Sequence, residues 1–243
     1  MKSIFVVWKD SEDHMWHPVA KLSRSNENYQ FNYTKGASNK SFIPFPRMDD
    51  LNKVYNSSTL FSFFSNRLMP SNRPEFKKML QWSDIKVDNY DEFDLLGVSG
   101  GARKTDEFQI ISEPEITENG DYKIRFFISG VRYLDSQSNN KVNQLKNGES
   151  LYFVYEDSNP HDCKAILVST IDDIPIGYCP KYLNCDVRVL LENPSLSSTT
   201  LRVVKTNLDA PSQFRILCEF TTKWPEGFIP MVSEEYLAYT NNS

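Results

Sequence analysis

Three short groups of residues in the second half of the chain carry side chains suited to binding. They are Gly130-Val131-Arg132-Tyr133, Asn159-Pro160-His161-Asp162 and Ile176-Gly177-Tyr178. The pattern predicts a strand ending in Arg-Tyr, a polar turn before the next strand, and a Gly-Tyr pair that leads into a helix. This order would place a cation, an aromatic face and a carboxylate beside one groove. Such a combination is typical of a binding site, and it includes no evident catalytic group.

The polar turn also has a purely structural interpretation. The residue before Pro160 is pushed towards extended geometry, and proline presets its own backbone, so Asn159-Pro160 favours the start of a turn. Asp162 can then hydrogen-bond to the nearby backbone as an Asx turn. On these residues alone, a structural turn and a binding site are equally well supported. Arg132 and Tyr133 have a similar alternative, in which one side chain of a strand end points inward and the other faces solvent.

A phosphate-binding loop is poorly supported elsewhere in the chain. Residues 97–105 read Gly-Val-Ser-Gly-Gly-Ala-Arg-Lys-Thr, but Ala and Arg separate the last glycine from the lysine. The strand-loop-helix context of a phosphate loop is also missing. A flexible turn is the favoured interpretation, and a backbone nest that meets an anion is the alternative.

Histidine and cysteine are too few and too scattered to predict catalysis or metal binding. Three histidines leave few members for a Ser-His-Asp or Cys-His arrangement. The four cysteines lack paired spacing, whereas structural zinc needs four ligands that usually come in close pairs. We therefore expect no enzyme activity, no cofactor and no metal, and we expect the cysteines to be reduced thiols.

Charge limits the kind of nucleic-acid binding that the chain can support. The net charge is −5, and residues 111–243 hold 12 basic and 18 acidic side chains, against 15 and 14 in residues 1–110. This balance argues against tight, sequence-blind duplex binding through many phosphate contacts. A small local site is compatible with it. The apolar run near the N-terminus is too short for a signal peptide or a membrane span, so we expect a cytoplasmic protein with no membrane partner.

The hydrophobic pattern predicts strands and helices in both halves. Strand-like runs lie near residues 4–8, 19–22 and 29–33, and helices are predicted from Ser57 or Ser58 to Leu68, from Asn72 to Leu80, and over residues 91–96 with a stop at Gly97. From about residue 108 strands dominate, with one helix over residues 180–191 and a polar, mobile loop over residues 135–147. This indicates an α+β protein, with a mixed sheet-and-helix domain over residues 1–108 and a small β-barrel with one or two helices over residues 109–243.

Residues 123–222 resemble the HIRAN domain family. That family carries a Gly-x-Arg-Tyr strand, an Asn-Pro-x-Asp-x-x-Ala-Ile turn and strand, and a Gly-Tyr/His-x-x-x-x-Leu segment that begins a helix. This chain supplies the same residues in order: Gly130, Arg132, Tyr133, Asn159, Pro160, Asp162, Ala165, Ile166, Gly177, Tyr178 and Leu183. The resemblance implies an OB-like barrel for the second domain.

The resemblance also implies a function. HIRAN domains occur fused to DNA-remodelling ATPases and as bacterial modules, and the best understood eukaryotic member captures the 3′ end of single-stranded DNA. By resemblance, Arg132 would contact a phosphate, Tyr133 and His161 would stack on or flank a base, and Asp162 would accept a hydrogen bond from the terminal 3′-hydroxyl. Tyr178 and Lys181 would line the same groove. His161 stands where the DNA-binding member has tyrosine, and it offers a smaller and titratable stacking face.

Residues 1–108 resemble the N-terminal subdomain of HipA-type toxin kinases more weakly. The matching segments include Leu60-Phe61-x-Phe63-Phe64-x-Asn66-Arg67-Leu68-Met69-Pro70 and Phe93-Asp94-Leu95-Leu96-Gly97. In those kinases the subdomain packs against the catalytic core and can exist as a separate regulatory polypeptide. Two functions follow as hypotheses: binding of single-stranded DNA or its 3′ end by the second domain, and binding of a kinase-like protein partner by the first. A hydrolase or nuclease ranks last, because neither a metal-ligand cluster nor a catalytic triad is evident.

Overall fold

The structure is a computed structural model that describes residues 2–12, 14–26, 28–103, 106–196 and 198–240, with only the backbone described at residue 89. The described chain forms two compact units. The first lies within residues 2–77, 88–113 and 231–240, and the second comprises residues 78–87 and the described part of 114–230. None of the helices in the described ranges is both long and apolar enough to cross a lipid bilayer.

The first unit is built on an antiparallel sheet of β-branched and aromatic strands. Its strands are β1 (Lys2–Lys9), β2 (Trp16–Ser25), β3 (Asn28–Tyr33), β4 (Tyr55–Ser57) and β5 (Phe108–Ser112). They are ordered β4-β3-β2-β1-β5. The inner strand β1 is buried continuously from Ser3 to Val7, and Phe31 and Phe64 are fully buried in the core of this unit. Burial of these aromatic side chains, together with aliphatic ones such as Ile4 and Leu22, stabilises this unit.

The helices of the first unit differ from the predicted ones. The helix predicted from Ser57 or Ser58 is the single turn α1 (Ser62–Ser65), and the next is α2 (Pro74–Trp82), which ends within the second unit. Helix α3 (Glu92–Ser99) starts at Asp91, whose carboxylate accepts hydrogen bonds from two backbone N–H groups of the first turn. The predicted stop at Gly97 was wrong. Gly97 lies inside α3 against Ser112, where a Cβ would come within 1.8 Å of the serine Oγ, and the left-handed cap is Gly100.

Two segments that were predicted to belong to the second domain lie in the first unit. Strand β5 pairs antiparallel with β1, so the first unit extends along the chain to residue 113. Thr34 forms an isolated bridge with Ala238, so residues 231–240 also return to it. Local sequence cannot reveal such long-range pairing, because a strand pattern is the same whichever sheet receives the strand.

The second unit contains seven antiparallel strands. They are β6 (Glu115–Ile116), β7 (Asp121–Phe127), β8 (Ser150–Tyr155), β9 (Ile166–Ser169), β10 (Pro175–Tyr178), β11 (Thr199–Thr206) and β12 (Ile216–Lys223). Their order in the sheet is β10-β9-β8-β11-β12-β7-β6. The α+β class predicted from the sequence is confirmed.

A backbone bridge joins β10 to the residues that follow β7 and closes the sheet on itself. Ser129 and Tyr178 exchange two N–H to carbonyl hydrogen bonds, each 2.9 Å long. The bridge connects the first strand of the order to the sixth, so six strands form a closed barrel of the OB-like kind. Closure places side chains such as Phe126, Val168 and Phe220 in one buried core.

Two helices accompany the barrel. Helix α4 (Ser136–Gln144) begins at Asp135, whose carboxylate accepts a hydrogen bond from the Ser138 N–H, and α5 (Asn184–Leu191) follows a 3-10 turn at Lys181–Leu183. The prediction of a polar loop over residues 135–147 was wrong. Its Ser and Asn content favours loops, but the N-cap and the burial of Val142 and Leu145 override that preference.

Gly177 is expected to be essential for barrel closure. Its φ is +131°, and a Cβ there would lie 2.4 Å from Ile128 Cγ2 and 2.5 Å from the Ser129 carbonyl oxygen. Gly177→Ala should therefore lower the free energy of unfolding by roughly 3 kcal/mol or more, through backbone strain and overpacking. Gly120→Ala is the matched control, since its φ is +75° but no atom lies within 4 Å of the added Cβ. It should cost only about 1 kcal/mol. Urea unfolding measures both, and equal losses would contradict the closure argument.

Candidate functional site

The first predicted group lies on a tight turn directly beyond the closure bridge. Gly130 has a left-handed φ of +77° and starts a 3-10 turn at Val131–Tyr133. The prediction that Arg132 and Tyr133 end a strand was therefore wrong, because Gly130 turns the chain directly after the bridge residue Ser129. A Cβ at residue 130 would lie 3.1 Å from Cδ2 of Tyr178, so the ring of Tyr178 packs directly against this turn.

Arg132 and Tyr133 both face solvent. The side chain of Tyr133 is 75% exposed, and the Arg132 guanidinium carbon lies 4.5 Å from the centre of its ring. Arg132 Nη2 also donates a hydrogen bond to the Tyr133 hydroxyl. Within the described parts of the chain, Arg132 pairs with no carboxylate. The turn thus presents a cation and an aromatic face together, and neither is occupied by the protein's own acidic groups.

Glu156 connects Tyr178 to the polar turn. Its Oε2 accepts a hydrogen bond from the Tyr178 hydroxyl at 3.0 Å and another from Asn159 Nδ2 at 2.5 Å. Partial burial, followed by the Glu156 carboxylate, raises the pKa of Tyr178, so its hydroxyl stays protonated and remains a donor. Glu156 is not among the predicted site residues. An acidic residue directly after a strand is usually a solvated surface group, so its position gave no signal of a role in the site.

The Asn159–Asp162 turn has the local hydrogen bonds of an Asx turn. The His161 N–H donates to Asn159 Oδ1 and the Lys164 N–H donates to Asp162 Oδ1, both at 2.9 Å. The Asp162 carbonyl also accepts from the Ala165 N–H at 2.9 Å. His161 is exposed at the tip of this turn, whereas Asp162 is partly buried. The structural interpretation of the turn is therefore correct, and it leaves His161 and one side of the Asp162 carboxylate accessible.

Asn184 positions the carboxylate of Asp162 from the opposite side. It is the first residue of α5, it is buried, and its Nδ2 donates to Asp162 Oδ2 at 3.1 Å. Its own Oδ1 has no hydrogen-bond partner among the described residues. Each carboxylate oxygen of Asp162 thus accepts one hydrogen bond from the protein and keeps a lone pair for another donor. Asn184 is also absent from the predicted residues, although its place just inside a helix start after Gly-Tyr is a usable signal.

Arg188 fastens the polar turn to helix α5. Its Nη2 donates to Asp157 Oδ1 at 2.6 Å and to the Ala165 carbonyl at 3.2 Å, and its Nε donates to the Lys164 carbonyl at 3.2 Å. The guanidinium also lies 4.2 Å from the centre of the Tyr155 ring. Arginine suits this role because its planar fork can satisfy several acceptors at once.

The structure thus links five of the six predicted residues through short contacts. Arg132 and Tyr133 adjoin Gly130 and the ring of Tyr178, and Tyr178 reaches the turn of His161 and Asp162 through Glu156. The sixth residue, Lys181, lies exposed on the 3-10 turn between Tyr178 and Asn184.

The described parts of the chain contain neither a metal-ligand cluster nor a disulfide. No group of three or more His, Cys, Asp or Glu side chains there is arranged to hold a metal ion. All four cysteines are free, with Cys163 and Cys185 exposed and Cys179 and Cys218 buried. Burial raises the pKa of the two buried thiols well above the usual value, so they stay protonated. The glycine-rich run at residues 97–105 extends beyond the described residues at 104 and 105.

Comparison with known families assigns the barrel. Residues 121–224 match the family model of the HIRAN domain, from the first residue of β7 to one residue past β12. This part of the chain is a HIRAN domain. All six predicted site residues, together with Glu156, Asn184 and Arg188, lie within it. Because DNA binding is a known property of HIRAN domains, the match supports nucleic-acid binding by this domain.

Solved structures give a weaker likeness to the HIRAN domain of this chain. The HIRAN domain of human HLTF is 18% identical with a TM-score of 0.33, and the match covers 44% of this chain and 81% of that one. A protein from Lactobacillus plantarum is 23% identical with a TM-score of 0.32, and the match covers 42% of this chain and 97% of that protein's chain. Both scores lie below 0.5, so they add nothing to the family match. Among curated proteins, none matches the chain.

Replacing Arg188 should loosen the polar turn without unfolding the HIRAN domain. Arg188→Lys keeps the charge but cannot reach three acceptors, so the local opening free energy of residues 157–165 should fall by about 1–2 kcal/mol. Amide hydrogen exchange in that segment should accelerate by about tenfold. Arg202→Lys is the matched control, because Arg202 is exposed on β11. Unchanged exchange in the Arg188 variant would show that the turn is rigid without it.

Proposed function

We propose that this chain is a non-enzymatic protein that binds single-stranded DNA and recognises its 3′ end through the HIRAN domain. The observation that carries the proposal is the Asp162 carboxylate. It is held by Asn184 and the backbone of its own turn, and it retains free acceptor capacity. Asn159 of the same turn is hydrogen-bonded to Glu156, which also accepts from Tyr178, and the ring of Tyr178 packs against Gly130. Gly130 begins the turn that carries the exposed Arg132–Tyr133 pair.

Each exposed group has a plausible nucleic-acid contact. Arg132 is a cation without a carboxylate partner in the described chain, and it suits a backbone phosphate. Tyr133 offers a largely exposed ring on which a base can stack, and the exposed imidazole of His161 offers a smaller one. Lys181 adds an exposed ammonium group on the turn that leads to α5.

The carboxylate explains a preference for an end over the interior of a strand. A terminal 3′-hydroxyl can donate a hydrogen bond to Asp162. An internal nucleotide carries a phosphodiester at that oxygen, so it loses the donor and brings a negative charge towards the carboxylate. Stacking contributes roughly 1–3 kcal/mol per base whether or not the base is terminal. A hydrogen bond to a charged group contributes roughly 1.5–3 kcal/mol. The contact at Asp162 therefore decides specificity, while stacking and phosphate contacts supply affinity.

Neutralising Asp162 should abolish the end preference. With Asp162→Asn, the amide of Asn184 can rotate so that its unpaired Oδ1 accepts from the new side chain, and the fold should be kept. Binding of an oligonucleotide with a 3′-hydroxyl should weaken by about 10–30-fold, while binding of the 3′-phosphate form should not weaken, because its repulsion from the carboxylate is removed. Fluorescence anisotropy with the two oligonucleotides of one sequence measures both.

The matched control for this measurement is Glu226→Gln, which makes the same change in net charge at an exposed turn. It should leave both affinities unaltered. A wild type that binds both ends equally, or that does not bind at low salt, would refute 3′-end recognition. Because removing a negative charge favours binding of an anion, equal weakening by the control would show that the loss does not come from the Asp162 contact.

A second candidate function is recognition of a kinase-like protein partner by the first unit. One observation favours it, which is an open groove of about 880 Å³ between the segment after β3 and the start of α1. The groove is aromatic and carries two cations: its lining is Phe45, Pro46, Arg47, Met48, Lys53, Val54, Tyr55, Asn56, Phe61, Ser62 and Phe63. Phe64, in contrast, is fully buried, so only part of the phenylalanine cluster is available to a partner.

An arginine in this groove should block such a partner. Ser62→Arg places a long charged side chain at an exposed lining position, so any partner recovered by affinity purification from native-host extract should be lost. Ser65→Arg, on the same helical turn but outside the groove, should retain it. Recovery of the same proteins with both variants, or of none with the wild type, would count against this function.

A further inference from the structure

A second cavity adjoins the candidate site on the side of helix α4. It has a volume of about 270 Å³, and its lining combines two arginines, two asparagines and a serine with two valines: Val131, Arg132, Asn139, Val142, Asn143, Ser212 and Arg215. No carboxylate lines it. Arg132 belongs both to this cavity and to the exposed turn of the candidate site, so the two are continuous through one side chain.

Arg215 is held in place by backbone groups and keeps its charge uncompensated. Its Nη1 donates to the Leu208 carbonyl at 2.7 Å, and its Nη2 donates to the Ala210 carbonyl at 2.9 Å. These bonds use two of the five N–H groups of the guanidinium. Within the described ranges, Arg215 forms no ion pair with an acidic side chain. A half-buried arginine oriented by carbonyls, with spare donors and no counter-charge, is arranged for an external anion.

The other polar groups of the cavity are donors of the same kind. Asn143 is exposed on α4 and makes no side-chain hydrogen bond within the described chain, so its amide is available. Asn139 Nδ2 donates hydrogen bonds to the carbonyls of Leu134 and Asp135, which fixes this side chain in the lining of the cavity. Arg132 and Arg215 therefore face an anion together with a free amide and the hydroxyl of Ser212. All of these donors suit a phosphate oxygen.

We propose that this cavity holds a backbone phosphate of the bound DNA strand, upstream of its 3′-terminal nucleotide. The inference rests on the proposed function of the HIRAN domain and deepens it, because it assigns Arg215, Asn143 and Ser212 to the path of the strand. With Asp162 at the terminal hydroxyl, Arg132 and this cavity would set the direction in which the strand leaves the site. Phosphate contacts through Arg132 and Arg215 give useful affinity on a chain whose net charge is −5.

A carboxylate introduced at Asn143 tests the proposal. Asn143→Asp places a negative charge in the cavity without touching the core, and it should weaken binding of a 3′-hydroxyl oligonucleotide by about 5–20-fold at low salt. Asn140→Asp is the matched control, with the same charge change at an exposed position of the same helix but outside the cavity. It should bind as the wild type does. In addition, Arg215→Gln should lower the slope of log affinity against log salt by about 0.7.

Replacing single phosphates of the probe locates the contact. Each linkage near the 3′ end is changed in turn to an uncharged methylphosphonate. At one linkage the wild type should lose affinity and the Asn143→Asp variant should no longer differ from it. If inorganic phosphate binds the cavity but no linkage matters, the assignment to the strand is overturned.

The outcome also separates this inference from the proposed function. Asn143→Asp binding as tightly as Asn140→Asp, with the 3′-hydroxyl preference intact, would overturn the phosphate subsite alone. If the wild type shows no preference for a 3′-hydroxyl but loses affinity when one linkage is made uncharged, end recognition alone would be overturned. Absence of any DNA binding by the wild type would overturn both.

Discussion

The pair of backbone hydrogen bonds between Ser129 and Tyr178 is the constraint on which the functional half of the molecule depends. Without it the second sheet would have two open edges, and β10 would have no partner beyond β9. With it, six strands close into a barrel and the free edges are satisfied. The bridge needs Gly177, because any Cβ there would overlap Ile128 and the Ser129 carbonyl.

Closure of the barrel also assembles the candidate site. The bridge fixes Tyr178, and the chain leaves Ser129 through the left-handed Gly130 into the turn that presents Arg132 and Tyr133. The hydroxyl of Tyr178 then reaches Glu156, which holds Asn159 at the start of the polar turn. A site built at the closure point of a barrel is held from both sides by backbone bonds, so little ordering of its own residues remains to oppose ligand binding.

Charge at the site differs from the charge of the chain. The protein is acidic as a whole, with a net charge of −5. Several cations of the second unit pair with a carboxylate, as Arg125 does with Glu219 and Arg188 does with Asp157. Arg132 and Arg215 are arranged differently, since Arg132 donates a hydrogen bond to a tyrosine hydroxyl and Arg215 donates to two backbone carbonyl groups. A small anionic ligand responds to this local arrangement, because charges more than about 10 Å away are largely screened at physiological salt.

The sequence by itself determined the α+β class, the HIRAN-like barrel and the residue types of the site. Repeated strand patterns and three spaced motifs can be recognised directly in the amino-acid sequence. It did not determine that residues 136–144 form a helix, that β5 returns to the first sheet, or that Arg132 and Tyr133 lie on a turn. Only the tertiary structure decided these, and only it brought Glu156, Asn184, Arg188 and Arg215 to the site. For Glu156 and Asn184 the physical reason is that their partners, Tyr178 and Asp162, are distant in sequence, and local patterns carry no record of such partners.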